Sequence, residues 1–199
     1  MITLVAAAAA FSAPVPLDQN TWFVGFRGQP KEGPFTVVAS EITVNQYGYV
    51  EGCRAQVAVG MPAWAPFTCA LIKRRARFQP ARIAGRRTFG VFRLRTLWSQ
   101  GGPLPEDKPT WDFVIPLSTA PIDLEPFSVT KIAFAVDANG RIQGCGAKGS
   151  WKHPELANIA CAALPQKLAI EPTKDRRGKP MDSVQDAAVR FVGAQGTQR

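Results

Sequence analysis

The stretch Gly52-Cys53-Arg54-Ala55 returns 92 residues later in the chain as Gly144-Cys145-Gly146-Ala147. In each place a second cysteine follows 16 positions after the first, at Cys69 and at Cys161. The same shift superimposes further turn and apolar positions: Pro34 and Phe35 on Pro126 and Phe127, Val44 on Val136, Gly48 on Gly140, Pro62 on Pro154, and Pro80 on Pro172. Self-similarity at one fixed shift is the mark of a repeated structural unit. The chain is therefore predicted to hold two copies of one small domain.

The 199 residues divide between these two copies and the segments around them. We place the first copy at residues 20–98 and the second copy at residues 110–192. Between them, residues 99–109 are rich in Gly and Pro and show no periodicity, which is typical of a linker. Domains of about 80 residues have small hydrophobic cores, so a covalent cross-link in each copy is expected to contribute to its stability.

Both copies show the same order of predicted elements. In the first copy, residues 35–44 are rich in Val and Thr and lead through Asn45-Gln46-Tyr47-Gly48 into a second strand. Apolar residues with helical spacing follow between Pro62 and Pro80, and an alternating strand at residues 88–98 closes the unit. We therefore predict an α+β fold of two tandem small domains. Each is a strand-hairpin-strand-helix-strand unit, in which a three-stranded antiparallel sheet packs on one helix.

The four cysteines are interpreted through this order of elements. Cys53 and Cys145 fall in the second strand of each hairpin, and Cys69 and Cys161 fall in the helix that packs on it, so a bridge within each copy is geometrically plausible. We predict the disulfides Cys53–Cys69 and Cys145–Cys161, each stabilising its copy by roughly 3 kcal/mol. Four buried thiols are the alternative for a reducing compartment. A zinc site is disfavoured because the chain has no Cys-x-x-Cys and a single histidine.

The first 13 residues are interpreted as a signal peptide. Residues 1–13 combine a short, alanine-rich apolar run with small residues ahead of Pro14, and cleavage is predicted near Ser12 or Ala13. No Lys or Arg precedes Arg27, which is atypical of such a signal. The alternatives are a disordered alanine-rich segment or a misplaced start codon. Export would bring the cysteines into an oxidising compartment.

The formal net charge of +9, from 24 Lys and Arg against 15 Asp and Glu, is concentrated in the first copy. Ten cations and no acid occur between Gly52 and Pro105. The simplest interpretation is a solvated, helix-capping face. The alternative is a surface for anionic lipids or glycans, with Arg74, Arg75 and Arg77 as its candidate residues. Nucleic acid is not predicted as a partner, since no recognition motif accompanies the charge.

The sequence shows no constellation suited to acid–base or nucleophilic chemistry. Its single histidine, His153, lies in a predicted loop, and neither a Gly-x-Ser-x-Gly motif nor a phosphate-loop motif occurs. We therefore predict that the protein is not an enzyme and that it has no catalytic residue, metal site or cofactor.

The repeat unit resembles the C-terminal domain of TonB-family energy transducers. The likeness rests on the hairpin Val136-Asp137-Ala138-Asn139-Gly140-Arg141-Ile142, on Arg74-Arg75-Ala76-Arg77-Phe78-Gln79-Pro80-Ala81 at the predicted helix end, and on Val91-Phe92-Arg93-Leu94 in the closing strand. It covers most of both copies, although Gln166-Lys167-Leu168-Ala169-Ile170-Glu171-Pro172 lacks the arginines and the phenylalanine. A transducer also needs a membrane anchor and a proline-rich spacer, which the sequence does not show, so we expect a relative that binds without transmitting force.

The resemblance implies a periplasmic protein that binds a peptide of an outer-membrane receptor, or another envelope protein, in or beside TonB-dependent transport. Binding would occur by strand addition to an exposed sheet edge. The expected contact is the closing strand of the first copy: Val91, Phe92, Arg93, Leu94 and Arg95. The second hypothesis is a structural envelope-binding module that uses the basic face of the first copy for anionic glycans or lipids. Strand exchange with a second copy of the chain would give a homodimer.

Overall fold

The computed structural model describes residues 10–27, 35–99, 110–119 and 129–193. Strands dominate these residues, and two α-helices accompany them. The strands are β1 (Phe11–Ser12), β2 (Val15–Leu17), β3 (Phe35–Val44), β4 (Val50–Val59), β5 (Arg77–Gln79), β6 (Ala81–Ile83), β7 (Arg86–Ser99), β8 (Phe113–Leu117), β9 (Val129–Val136), β10 (Ile142–Ala147), β11 (Thr173–Lys174), β12 (Pro180–Met181) and β13 (Ser183–Gly193). The helices are α1 (Trp64–Arg75) and α2 (Glu155–Lys167), and a 3-10 turn covers Gln19–Thr21.

The first half of the fold is built on β3, which pairs antiparallel with β4 on one side and with β7 on the other. The β3–β4 turn contains Gly48, whose φ of +84° favours glycine, and a Cβ there would collide with the backbone of Phe78. Alternate residues of β3 turn inward, and Ile42 packs with Ile72 of α1 in one buried cluster. The helix therefore covers one face of β4, β3 and β7.

The second half repeats this arrangement around β9, which pairs antiparallel with β10 and with β13. Its hairpin turn is closed by Asp137, whose carboxylate accepts the backbone N–H groups of Asn139 and Arg141. The hydrogen bond from Arg141 holds the pKa of Asp137 below its ordinary value. Phe134 of β9 packs with Leu164 of α2 in the core of this half.

The two halves share one nine-stranded mixed sheet. The closing strands β7 and β13 pair in parallel, Phe89 with Ser183 and Gly90 with Val184, and we call these two residue pairs the junction. Strands β1, β6 and β8 extend the same sheet. The predicted fold of two separate three-stranded domains is therefore wrong. In two separate domains each closing strand would have kept an open edge with unpaired backbone groups. Joining the halves lets the two edges satisfy part of their backbone hydrogen bonding with each other.

The segment ahead of the first half is part of the fold. Strand β1 pairs with β6, and β2 pairs with β5. Phe11 and Ala13 pack beside Ala133 and Val184 of the second half, and Trp22 is buried beneath α1. Of the predicted signal segment, residues 1–9 lie outside the described residues, and so do residues 100–109 of the predicted linker. Cleavage near Ser12 or Ala13 stays a prediction.

Both predicted disulfides are confirmed. Cys53 in β4 is bonded to Cys69 in α1, with Cα atoms 5.6 Å apart, and Cys145 in β10 is bonded to Cys161 in α2, with Cα atoms 5.7 Å apart. Each bond ties the outer strand of a half to its helix. Two disulfides are typical of a protein from an oxidising compartment outside the cytoplasm. Neither α1 nor α2, the helices of the described residues, has the length and apolar content that a membrane span requires.

Candidate functional site

Strands β7 and β13 separate immediately beyond the junction. Their pairing ends at Gly90 and Val184, after which β7 stays paired with β3 and β13 stays paired with β9. Within the part of the chain that the structure describes, no strand pairs with the second side of residues 91–94. A cleft of about 600 Å³ opens there, and we call it the strand cleft.

Both halves line the strand cleft with sheet faces that turn away from their helices. The first half contributes Ala39, Arg54 and Arg93, among others, and the second half contributes Asp112, Lys131 and Asp186. These side chains carry charges of both signs, so the cleft does not select for a strongly acidic or a strongly basic ligand. Backbone hydrogen bonding is the more general means of recognition that it offers.

Asp112 stands at the point where the two strands part. One carboxylate oxygen, Oδ2, accepts hydrogen bonds from Nη1 of Arg93 on β7 and from the backbone N–H of Ala188 on β13, both at 2.7 Å. The guanidinium of Arg93 also lies 3.4 Å from the carboxylate of Glu41. A single side chain thus bridges the separated strands and supplies the acceptor that β13 has lost.

Replacement of Asp112 by alanine is expected to lower the free energy of unfolding by about 1–3 kcal/mol, because two hydrogen bonds to a charged acceptor are lost. Urea unfolding followed by circular dichroism measures the loss. Asp112→Asn is the matched control, since its amide oxygen can still accept from Ala188, and it should retain part of the stability. Equal stability of wild type and Asp112→Ala would contradict the bridging role.

A partly buried ion pair lies beside the strand cleft. Nζ of Lys148 is 2.6 Å from Oδ2 of Asp186, whose side chain is only 2% exposed. The same ammonium lies 5.6 Å from the ring centroid of Phe92 in the first half. Oδ1 of Asp186 is buried and has no hydrogen-bond partner among the described residues. The pair therefore links the two halves and leaves one buried acceptor at the cleft.

The five residues predicted for partner contact lie together in β7 (Arg86–Ser99). This strand is interior in the sheet order rather than an outer edge. Val91 is buried, whereas Arg93, Leu94 and Arg95 line the strand cleft. Binding of a partner at these residues stays a prediction, and the geometry directs it to the cleft side of β7.

The three arginines predicted for an anionic surface do not form one available patch. Nη1 of Arg75 donates to the carbonyl oxygens of Trp22 and Val24, and so holds the N-terminal segment on α1. Nη1 of Arg77 donates to the Ala76 carbonyl oxygen, and its guanidinium lies 5.1 Å from the ring centroid of Tyr49. Arg74 is exposed. Anion binding by these three residues stays a prediction with weaker geometric support.

Sequence reasoning did not single out Asp112, Lys148 or Asp186. Asp112 directly follows the predicted linker, and Lys148 follows the second hairpin, where isolated charges are ordinary. Asp186 offered a usable signal, since it is the single acid in the predicted closing strand of the second copy, Val184 to Val192. A charge in such a strand indicates a buried partner or a cleft.

The residues that the structure describes contain no group of three or more His, Cys, Asp or Glu side chains that could hold a metal ion. Nδ1 of His153 lies 3.3 Å from the carboxylate of Glu155 at the start of α2, away from the strand cleft. The absence of enzymatic activity stays a prediction. No family model, no curated protein and no solved structure matches the chain, so the fold and its clefts are the grounds for a function.

Proposed function

We propose that the chain is an extracytoplasmic binding protein that takes up an extended segment of a partner protein by strand addition to β7. The observation that carries this proposal is the end of pairing between β7 and β13 at Gly90, beyond which one side of β7 is unpaired among the described residues and Arg93, Leu94 and Arg95 line the strand cleft. Strand addition uses main-chain hydrogen bonds for affinity and alternate side-chain pockets for specificity.

Strand β7 is held in an extended conformation that an added strand could pair with. Its other side is paired with β3 over ten consecutive residues, from Phe35 opposite Ser99 to Val44 opposite Gly90. The cleft volume of about 600 Å³ falls within the range of roughly 300–1,000 Å³ usual for ligand sites. A short extended segment therefore has both a preformed backbone edge and space beside it.

The contacts of Asp112 support the same function. Its Oδ2 accepts from the N–H of Ala188 and from the guanidinium of Arg93, so a side chain rather than a neighbouring strand satisfies β13 at this position. The separated strands thus already hold one substitute acceptor from within the chain. Asp186, which lines the same cleft, also has a buried Oδ1 without a hydrogen-bond partner among the described residues.

The two disulfides favour an oxidising compartment outside the cytoplasm, and the resemblance to TonB-family domains suggests the periplasm and the partner. The chain would be exported, would act in the periplasm, and would bind a peptide of an outer-membrane receptor in or beside TonB-dependent transport. The alternative, an envelope module that binds anionic glycans through Arg74, Arg75 and Arg77, has less support because Arg75 and Arg77 are engaged within the chain.

Peptide binding is tested by amide hydrogen exchange on the full chain with short synthetic peptides from the periplasmic segments of outer-membrane receptors. We expect a binding peptide to slow exchange at residues 91–94. The outer side of β4 (Val50–Val59), which is paired only with β3 among the described strands, is the internal control and should be unaffected. Protection of β4 alone, or no protection by any peptide, would overturn the proposal.

A substitution that fills the strand cleft distinguishes peptide binding at this site from binding at other surfaces. Ala39 is exposed and lines the strand cleft, so Ala39→Trp should weaken peptide binding at least about tenfold. Ala58 is also exposed, and it lies outside the strand cleft in the neighbouring strand β4. Ala58→Trp should leave the affinity unchanged, and an equal loss in both variants would count against the cleft.

A further inference from the structure

A second cleft lies where β7 begins, between hairpins from the two halves. Its volume is about 310 Å³. The β6–β7 hairpin of the first half contributes Arg86 and Arg87, and the β11–β12 hairpin of the second half contributes Lys179 and Met181. We call it the arginine cleft. It exists because the junction brings these two hairpins together.

The cations of the arginine cleft are not neutralised within the described residues. The side chains of Arg86, Arg87 and Lys179 are exposed and make no ion pair or hydrogen bond there. Arg82 of β6 stands directly opposite Arg87 in the antiparallel register, so two like charges share one face of the hairpin. Directly opposed like charges destabilise a strand pair, and a bound anion would relieve this repulsion.

The nearby carboxylates accept hydrogen bonds from backbone N–H groups instead of forming ion pairs with these cations. Asp182, which also lines the cleft, accepts the backbone N–H of Ala138 at its Oδ1. Asp175 accepts the backbone N–H groups of Arg177 and Lys179 and so closes the β11–β12 turn. The lining of the cleft thus includes three cations from two halves and one carboxylate, that of Asp182, which forms no ion pair with them among the described residues.

We propose that the arginine cleft binds a phosphate group, either as a free anion or as the headgroup of an anionic phospholipid. Guanidinium groups match the oxygen geometry of phosphate, and phosphate offers several acceptor oxygens to a cluster of donors. This site is separate from the strand cleft, so it does not depend on the proposed peptide binding.

The test uses the full chain with two probes, inorganic phosphate and vesicles of phosphatidylglycerol with phosphatidylcholine. Vesicles of phosphatidylcholine alone are the uncharged reference. Arg86→Glu/Arg87→Glu is expected to weaken binding of whichever probe the wild type binds by at least about tenfold. Binding of phosphate in solution identifies a free anion as the ligand, and binding of the charged vesicles alone identifies a headgroup at a membrane surface.

The control variant Lys73→Glu/Lys167→Glu changes the net charge by the same amount on exposed residues of α1 and α2, outside the arginine cleft. It should weaken binding by less than about threefold, because diffuse surface charge contributes little beyond the Debye length. An equal loss in both variants would overturn the proposal, as would a wild type that binds neither probe.

Folding of the variants is checked by thermal melting. Arg87→Glu places a carboxylate opposite Arg82, which favours the hairpin, so the melting temperature should not fall. Lys179→Gln, a milder change in the other half, should weaken binding about threefold or more. Unchanged affinity in that variant would show that the site does not lie between the two halves and would contradict the proposal.

Discussion

Replacement of Trp22 by alanine is expected to lower the free energy of unfolding by about 3–5 kcal/mol. The indole is 1% exposed and packs on Phe78 with ring centroids 5.2 Å apart. Its Nε1 donates a hydrogen bond to the Leu17 carbonyl oxygen at 3.0 Å. The truncation would therefore leave a cavity beneath α1 and detach the N-terminal segment from the first half. Urea unfolding followed by far-ultraviolet circular dichroism measures the loss.

Trp111 offers a matched control for Trp22, because a shift of 89 residues places Thr21-Trp22 on Thr110-Trp111. Trp111 is 39% exposed, and the guanidinium of Arg190 lies 4.5 Å from its ring centroid. Trp111→Ala should cost about 1 kcal/mol or less, in line with an exposed cation–π contact. Similar losses in the two variants, or a small loss at Trp22, would contradict the role assigned to the N-terminal segment.

Removal of either disulfide should lower the free energy of unfolding by about 3 kcal/mol, because each closes a loop of similar length. The cysteines are 16 positions apart in both halves, so Cys53→Ser/Cys69→Ser and Cys145→Ser/Cys161→Ser should lose similar amounts. The bonds restrict the unfolded chain, and each also ties an outer strand to its helix. Urea titration of both double variants under oxidising conditions measures the effect.

Reduction of the wild type provides the control for these variants. Addition of dithiothreitol should lower wild-type stability by about the sum of both losses, since the two bonds lie in different halves. The same reductant should affect Cys53→Ser/Cys69→Ser only through the remaining bond. A reductant that leaves wild-type stability unchanged would show that the cross-links contribute nothing.

The repeat in the sequence was sufficient to predict the disulfides but not the sheet. Cysteine spacing and turn residues report local structure, and the two Cys pairs fall in elements that are close in sequence. The junction joins Phe89 to Ser183, and such a long-range pairing leaves no periodic signal in either strand. The alternation of residues 88–98 predicts a strand but does not identify its neighbours. Strand β1 was missed because residues 1–13 were interpreted as a signal, and β2 was missed because Val15-Pro16-Leu17 is too short and has a proline at its centre.

The candidate site was predictable only in part. The resemblance predicted partner contact at residues 91–95, which lie in the strand that borders the strand cleft. The cleft itself arises because β13 diverges from β7 after two residue pairs, and the significance of Asp112 and Asp186 depends on that divergence. Arg86 and Arg87 were counted among ten cations of the first copy, but their grouping with Lys179 appears only once the halves are joined.

The short junction has a consequence for the folding order. Each half contains its own hairpin, helix, closing strand and disulfide, so most of its contacts are formed within that half. The junction pairs residues 183 − 89 = 94 positions apart and yields only two residue pairs. Since such a closure costs chain entropy before it gains contacts, the halves are expected to form first and to join afterwards. At high protein concentration, halves of two molecules then compete for the same pairing, and domain-swapped dimers are the expected misassembly product.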